Sequence, residues 1–162
     1  ERRALRHPLY YAMRIMLEIA RRFKDGRHSE PIVDDMSEAL GIPEYTVRAL
    51  CDTLIEKKII LPVGADSQSY APARELSSLN AHDIVSAIRG EAYSISSVVD
   101  DSNAEHRYIQ KMFNDLDSAE TSRARALSFD AMVEDLATQG IGLTRAQRQT
   151  ALTARTIPAD ND

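Results

Sequence analysis
The chain has 162 residues, enough for one domain of ordinary size; 43% of them are apolar, Trp is absent, and the formal net charge is −5. That charge works against a strong non-specific hold on nucleic acid, which comes mostly from phosphate neutralisation, and the single cysteine excludes an internal disulfide or a cysteine-only metal or iron–sulfur site within one chain. No apolar run approaches the ~18 residues needed to cross a bilayer, no signal peptide is visible, and the first residue is Glu1 instead of Met, so the expectation is a soluble cytoplasmic chain, either trimmed at its start or cut from a longer protein.

In chain order, Pro8 suits the first turn of a helix. Behind it Leu9, Met13, Met16, Leu17, Ala20 and Phe23 recur at three- and four-residue steps and predict one apolar stripe, ended by Asp25 and Gly26. Pro31 predicts the start of a second helix with Ile32 or Val33, Met36 and Leu40 inward, and Gly41 its left-handed stop. Pro43 starts a third, in which Val47, Leu50, Cys51, Leu54 and Ile55 follow the amphipathic template in full. Ile59 to Leu61 read as a strand, Gly64 to Ser69 as a polar loop, and Tyr70 and Ala71 as the return strand. Two helices meeting at a tight corner and running into a short hairpin are the pattern of a winged helix.

Beyond the hairpin, Asn80 with Asp83 predicts a capped helix carrying Ala81, Ile84, Val85 and Ile88, ended by Gly90. A polar stretch, Ser94 to Asp101, follows. Ser102 and Glu105 have capping-box spacing and introduce a helix with Tyr108, Ile109, Met112, Phe113 and Leu116 on one side. Ser128 predicts the cap of a last short helix with Phe129, Met132, Val133 and Leu136. The expected architecture is mainly α: a winged helix-turn-helix with a small β-hairpin wing over 1–92, a helical extension over 93–139, and a tail over 140–162. The extension's two apolar faces predict either packing within the chain or a dimer seam at Tyr108, Ile109, Met112, Phe113 and Leu116, and a homodimer is the expected assembly.

In a helix-turn-helix the exposed start of the second helix enters the major groove. Those residues here are Glu44, Tyr45, Thr46, Arg48, Ala49 and Asp52; Arg48 has the chemistry to read guanine, and Tyr45 or Thr46 to touch phosphate. Residues 32 to 58 hold six acids (Asp34, Asp35, Glu38, Glu44, Asp52, Glu56) against Arg48, Lys57 and Lys58, a net of −3, and the wing from Val63 to Ser69 has no cation. DNA binding by this face is therefore open but not the favoured reading. Residues 1 to 28 are basic, with Arg2, Arg3, Arg6, Arg14, Arg21, Arg22, Lys24 and Arg27 against Glu1, Glu18 and Asp25, a net of +5. Three readings stay open for them: a solvated helix face, a phosphate-backbone clamp, and a segment facing anionic lipid. No catalytic residue, metal or cofactor is expected. His7, His28, His82 and His106 lie far apart without ligand spacing, there is no Gly-rich phosphate loop, Cys51 sits on an apolar face, and Asp34/Asp35 and Asp100/Asp101 are adjacent pairs that point apart on a helix or lie in solvent.

Two resemblances sharpen these expectations. The stretches Tyr11-Ala12-Met13-Arg14, Leu40-Gly41-Ile42-Pro43, Leu54-Ile55-Glu56-Lys57-Lys58, Tyr70-Ala71-Pro72-Ala73-Arg74 and Asp83-Ile84-Val85-Ser86-Ala87-Ile88 resemble, over residues 9 to 90, a bacterial winged-helix family that includes the iron–sulfur cluster regulator and the nitric-oxide-sensing repressor. This implies a long C-terminal helix that pairs two chains, at Ser102 to Ala119. The family's basic, doubly glycine wing is replaced here by Gly64-Ala65-Asp66-Ser67-Gln68-Ser69, and its three cluster-ligating cysteines are missing, so cluster sensing is not implied. The second resemblance is to the cytosolic winged-helix tail of the YihY/BrkB envelope-protein family, sometimes labelled ribonuclease BN. It rests on Pro8-Leu9, the helix-turn-helix, Tyr70 to Leu76 with its Ala-Arg-Glu-Leu, and Asp83-Ile84-Val85. It implies a non-catalytic interaction or regulatory module on the cytoplasmic face of the inner membrane, and no residue supports the ribonuclease label. That reading is favoured on sequence; the alternative is a dimeric DNA-binding transcription regulator without the cluster cysteines.

Overall fold
The computed structural model describes residues 7–90 and 103–141. Arg2, Arg3 and Arg6, the polar stretch Ser94 to Asp101, Ser102 and most of the tail lie outside the described residues. The first helix, α1 (Pro8–Lys24), begins on His7, whose Nδ1 accepts from the Leu9 amide at 3.2 Å. Its buried face is Tyr11, Ile15, Ile19 with Ala12, Met16, Ala20. The expected stripe is thus rotated: Leu9, Met13 and Leu17 flank the core and Phe23 is 43% exposed. The reason is that α1 packs against β2 and three later helices at once, so two parallel four-residue rows turn inward where a surface helix would bury one.

Helix α2 (Val33–Leu40) starts two residues after Pro31, on Ile32, which has no side-chain cap. Ile32 is buried, and its amide donates to Gln68 O at 3.0 Å, so the helix is launched from the end of the wing loop. Gly41 stops it at φ 65°, a conformation that costs glycine little. Ser37 Oγ donates to Ile42 O at 2.7 Å and buried Ile42 plugs the corner. Helix α3 (Glu44–Glu56) follows directly from Pro43 and buries Val47, Cys51 and Leu54. Ile59 closes it, its amide donating to Leu54 O, so the first strand begins one residue later than expected. Strands β1 (Ile60–Val63) and β2 (Ser69–Pro72) form an antiparallel hairpin in the register Ile60–Pro72 to Val63–Ser69. All of β2 is buried, whereas Leu61 and Pro62 of β1 face solvent.

Helix α4 (Ala81–Arg89) has the full capping box, with Asn80 accepting from the His82 and Asp83 amides and Asp83 accepting from the Asn80 amide. Helix α5 (Ala104–Arg125) is capped by Asn103 and not by Ser102: Asn103 Oδ1 accepts from the Glu105 amide at 2.9 Å. Helix α6 (Phe129–Thr138), capped by Ser128, returns to the core. The Phe129 amide donates to Leu79 O and the Ala81 amide to Leu127 O, and Phe129 is fully buried. The molecule is therefore mainly α, with one two-stranded antiparallel sheet among the described residues, the architecture of a winged helix.

Candidate nucleic-acid interface and pairing face
The outward side of α3 carries Glu44, Tyr45, Ala49, Asp52 and Glu56, all exposed, with Arg48 and Thr46 half-buried at its margins. Tyr45 is 74% exposed, which is unusual for a large aromatic ring without a partner surface. Arg48 Nη2 lies 3.7 Å from Glu44 Oε2, one helical turn away. The outward side of α3 thus carries both Tyr45 and Arg48, with a carboxylate in register with the guanidinium. Thr46 turns its flank toward the protein.

The wing is held by backbone conformation and by two hydroxyls, one of them Ser69 Oγ, which donates to Ser29 O at 3.0 Å. Gly64 (φ 80°) and Ser67 (φ 51°) are left-handed, and Tyr70 Oη donates to Ser67 O at 3.0 Å. Tyr70 lies beside Cys51, so α3 and the wing meet at this pair. Burial pushes the Cys51 thiol up to about 12, opposed in part by the neighbouring Tyr70 hydroxyl. Burial likewise raises Tyr70 to about 12, with Cys51 and Asp52 adding to the effect. A thiol so held is neutral at neutral pH and is a packing residue.

The basic first helix departs from its expected role at one residue. Arg22, placed on sequence among the membrane- or phosphate-facing cations, is only 7% exposed. Its Nε donates to Glu18 Oε1 at 2.8 Å, Nη1 to Pro31 O at 2.7 Å and Nη2 to Asp35 Oδ2 at 2.6 Å. The signal was present: Ile15, Ile19 and Arg22 continue one four-then-three row, and Glu18 stands four residues before Arg22. Arg21 pairs with Glu18, and Arg14 is exposed. Lys24 reaches across to α6, with Nζ 2.8 Å from Asp130 Oδ1 and 3.3 Å from Glu134 Oε1.

Helix α5 has no buried residue along its 22 positions. Tyr108, Ile109, Met112, Phe113 and Leu116, spaced at one and three residues, line one exposed face; Tyr108 is 72% exposed and Leu116 59%. Arg89 Nη1, 2.7 Å from Glu120 Oε1, anchors the helix to α4. Of the two apolar faces in the extension, that of α6 packs on the body and that of α5 remains open. Among the described residues, no three His, Cys, Asp or Glu side chains converge as a metal site would require, and no helix is long and apolar enough to cross a membrane.

A winged helix followed by a long projecting helix defines the class of fold, and solved structures share it over almost their whole length. The chain is similar to T. potens IscR, with a TM-score of 0.65 and 15% identity, covering 87% of this chain and 93% of that one. It is also similar to CymR, the global cysteine regulator of B. subtilis, with a TM-score of 0.61 and 15% identity, covering 81% and 96%. For Staphylococcus aureus CymR the TM-score is 0.59 and the identity 14%, covering 78% and 95%. No family model and no curated protein sequence matches the chain. The comparisons thus agree with the first resemblance, to winged-helix regulators, and none supports the envelope-protein tail that the sequence favoured. That preference rested on Pro8-Leu9, the helix-turn-helix, Tyr70 to Leu76 and Asp83-Ile84-Val85, short motifs that do not discriminate one winged helix from another.

Proposed function
We propose that this chain is a homodimeric, DNA-binding transcription regulator of the cytoplasm, with no catalytic centre of its own. The observation that carries it is α5: a 22-residue helix with an exposed apolar face and no buried residue, in a chain that matches over 90% of the length of solved regulators. Most of a helix's stability in a protein comes from packing of its apolar face, and an exposed apolar face of this kind marks an interaction surface. A second copy fits. The first half of α5 carries Arg107 and Lys111 against Glu105, a net of +1, and the second half Asp115, Asp117 and Glu120 against Arg123 and Arg125, a net of −1. Antiparallel pairing about a two-fold axis brings each half against its opposite charge. Two α3 helices then face the same side of a duplex, with Tyr45, Thr46 and Arg48 as the contacts to base edges and phosphate.

The acidity of the α3 face sets the character of the binding. At most Arg48, Lys57 and Lys58 of each protomer neutralise phosphates near this helix, so the logarithm of the association constant against log salt has a slope no steeper than about −5 for a dimer. Affinity then comes from base contacts and from the two-site geometry. Light scattering behind size exclusion, with a genomic-DNA pull-down read by sequencing, tests the reading. It expects twice the 18.1 kDa chain mass and one enriched palindrome with half-sites about one helical turn apart. A monomer at tens of micromolar, or no enriched motif, would sink it.

A further inference from the structure
We infer that Glu44 and Arg48 form one reading unit that selects a guanine and its cytosine in the major groove. The inference rests on the DNA-binding reading above and concerns the same surface. Glu44 is the first residue of α3, and Pro43 before it offers no side-chain cap, so the carboxylate stands at the tip of the helix that would point at base edges. Arg48 stands one turn behind, its guanidinium 3.7 Å from that carboxylate. Both side chains are partly exposed, 54% and 39%, so neither is committed to the core.

The chemistry of the edge fits this pair. A G·C pair presents two acceptors of guanine, N7 and O6, next to the N4 donor of cytosine. A guanidinium fork beside a carboxylate is the complementary series, two donors and an acceptor. An A·T pair presents acceptor, donor, acceptor, and leaves both members of the unit facing a like group, one guanidinium N–H against adenine N6 and the carboxylate against thymine O4. The head-group spacing is also close to the ~3.4 Å rise of stacked bases, so the unit meets guanine and cytosine in one pair or in two neighbouring ones. A lone carboxylate at this place would be repelled by phosphate. Paired with Arg48 it is neutral as a unit, so it discriminates between bases at little cost in attraction.

A merely structural Glu44 would act through the positive end of the helix and change stability alone. Selection from a random-sequence duplex pool by the full chain, followed by sequencing, separates the cases. The wild type should enrich a motif with a guanine and a cytosine at the centre of each half-site. Glu44→Gln should replace the cytosine preference with adenine, with a relative enrichment change of about tenfold, at unchanged circular dichroism. Arg48→Lys, which keeps the charge but not the fork, should relax the guanine preference while leaving the salt slope in place. If the wild type enriches no motif, the DNA-binding reading fails and takes this inference with it. If a motif is enriched but Glu44→Gln leaves every position unchanged, this inference alone is overturned.

Discussion

Arg22 Nη2 lies 2.6 Å from Asp35 Oδ2, thirteen residues along the chain, and the bond ties the end of the first helix to the first turn of the helix-turn-helix. Burial pulls the guanidinium's pKa down, but the bonds to Asp35 and then to Glu18 outweigh it, and the group sits above its ordinary value. It therefore stays charged across the whole usable pH range. Arg22→Ala leaves the Pro31 carbonyl and Glu18 Oε1 without the donor Arg22 gives them, while Arg21 still serves Glu18 Oε2, and should cost about 2–3 kcal/mol in urea unfolding. Asp35→Asn should cost under about 1 kcal/mol, because that carboxylate faces water. Equal costs for the two would disprove the inward role of Arg22.

Cys51 and Tyr70 make stability fall at alkaline pH. Unfolded, the thiol ionises near 9.0 and the phenol near 10.0, while in the folded protein both stand at about 12. Between these values the folded state binds more protons than the unfolded one. Stability is thus complete below pH 9 and is lost as pH rises toward 12, at up to about 1.4 kcal/mol per pH unit from the thiol alone. Cys51→Ala should delay the loss to above pH 10, as read by thermal melts across pH. An alkaline limb unmoved by the substitution would count against the buried neutral thiol.

The same burial shields Cys51 from reagents. Native protein at pH 8 should react with a disulfide reagent at least a hundredfold slower than protein in 6 M guanidinium, because attack needs both thiolate and access. Fast reaction of the native chain would place the side chain at the surface, against its complete burial in the core.

Phe113→Glu puts a charge in the middle of the open face of α5. It should convert a dimer to a monomer in light scattering, with the fold of the body kept, since α5 contributes no buried residue. Tryptic resistance and circular dichroism of the residues from α1 to α4 should be retained. Loss of the whole fold would mean that α5 is a structural prop and not a pairing surface.

Two helix caps with the same chemistry should behave differently. Asn80 caps α4 through bonds to the His82 and Asp83 amides at 3.0 and 3.3 Å, beside the Leu127 and Phe129 ladder that docks α6. Asn80→Ala should cost about 1–2 kcal/mol in global stability. Asn103 caps α5 in the same way, but that helix buries nothing, so Asn103→Ala should weaken pairing and barely move the unfolding of the monomer. Denaturant melts at low and high protein concentration separate the two.

What the sequence by itself determined is what depends on neighbours three or four residues apart. The caps at Asn80 and Ser128, the corner at Gly41 and the apolar row Val47, Cys51, Leu54 all follow from local backbone chemistry and helical period. Tertiary structure alone decided which apolar rows meet something. Helix α1 turned its Tyr11–Ile15–Ile19 and Ala12–Met16–Ala20 rows inward because several elements converge on it, and Arg22 went in with them because Asp35 and the Pro31 carbonyl were there to receive it. The extension makes the same point, since its two helices look alike in sequence. The chain packs Phe129 of α6 against its core and leaves Phe113 of α5 in water, because burial is a property of what comes back across the fold and not of the side chain that waits for it.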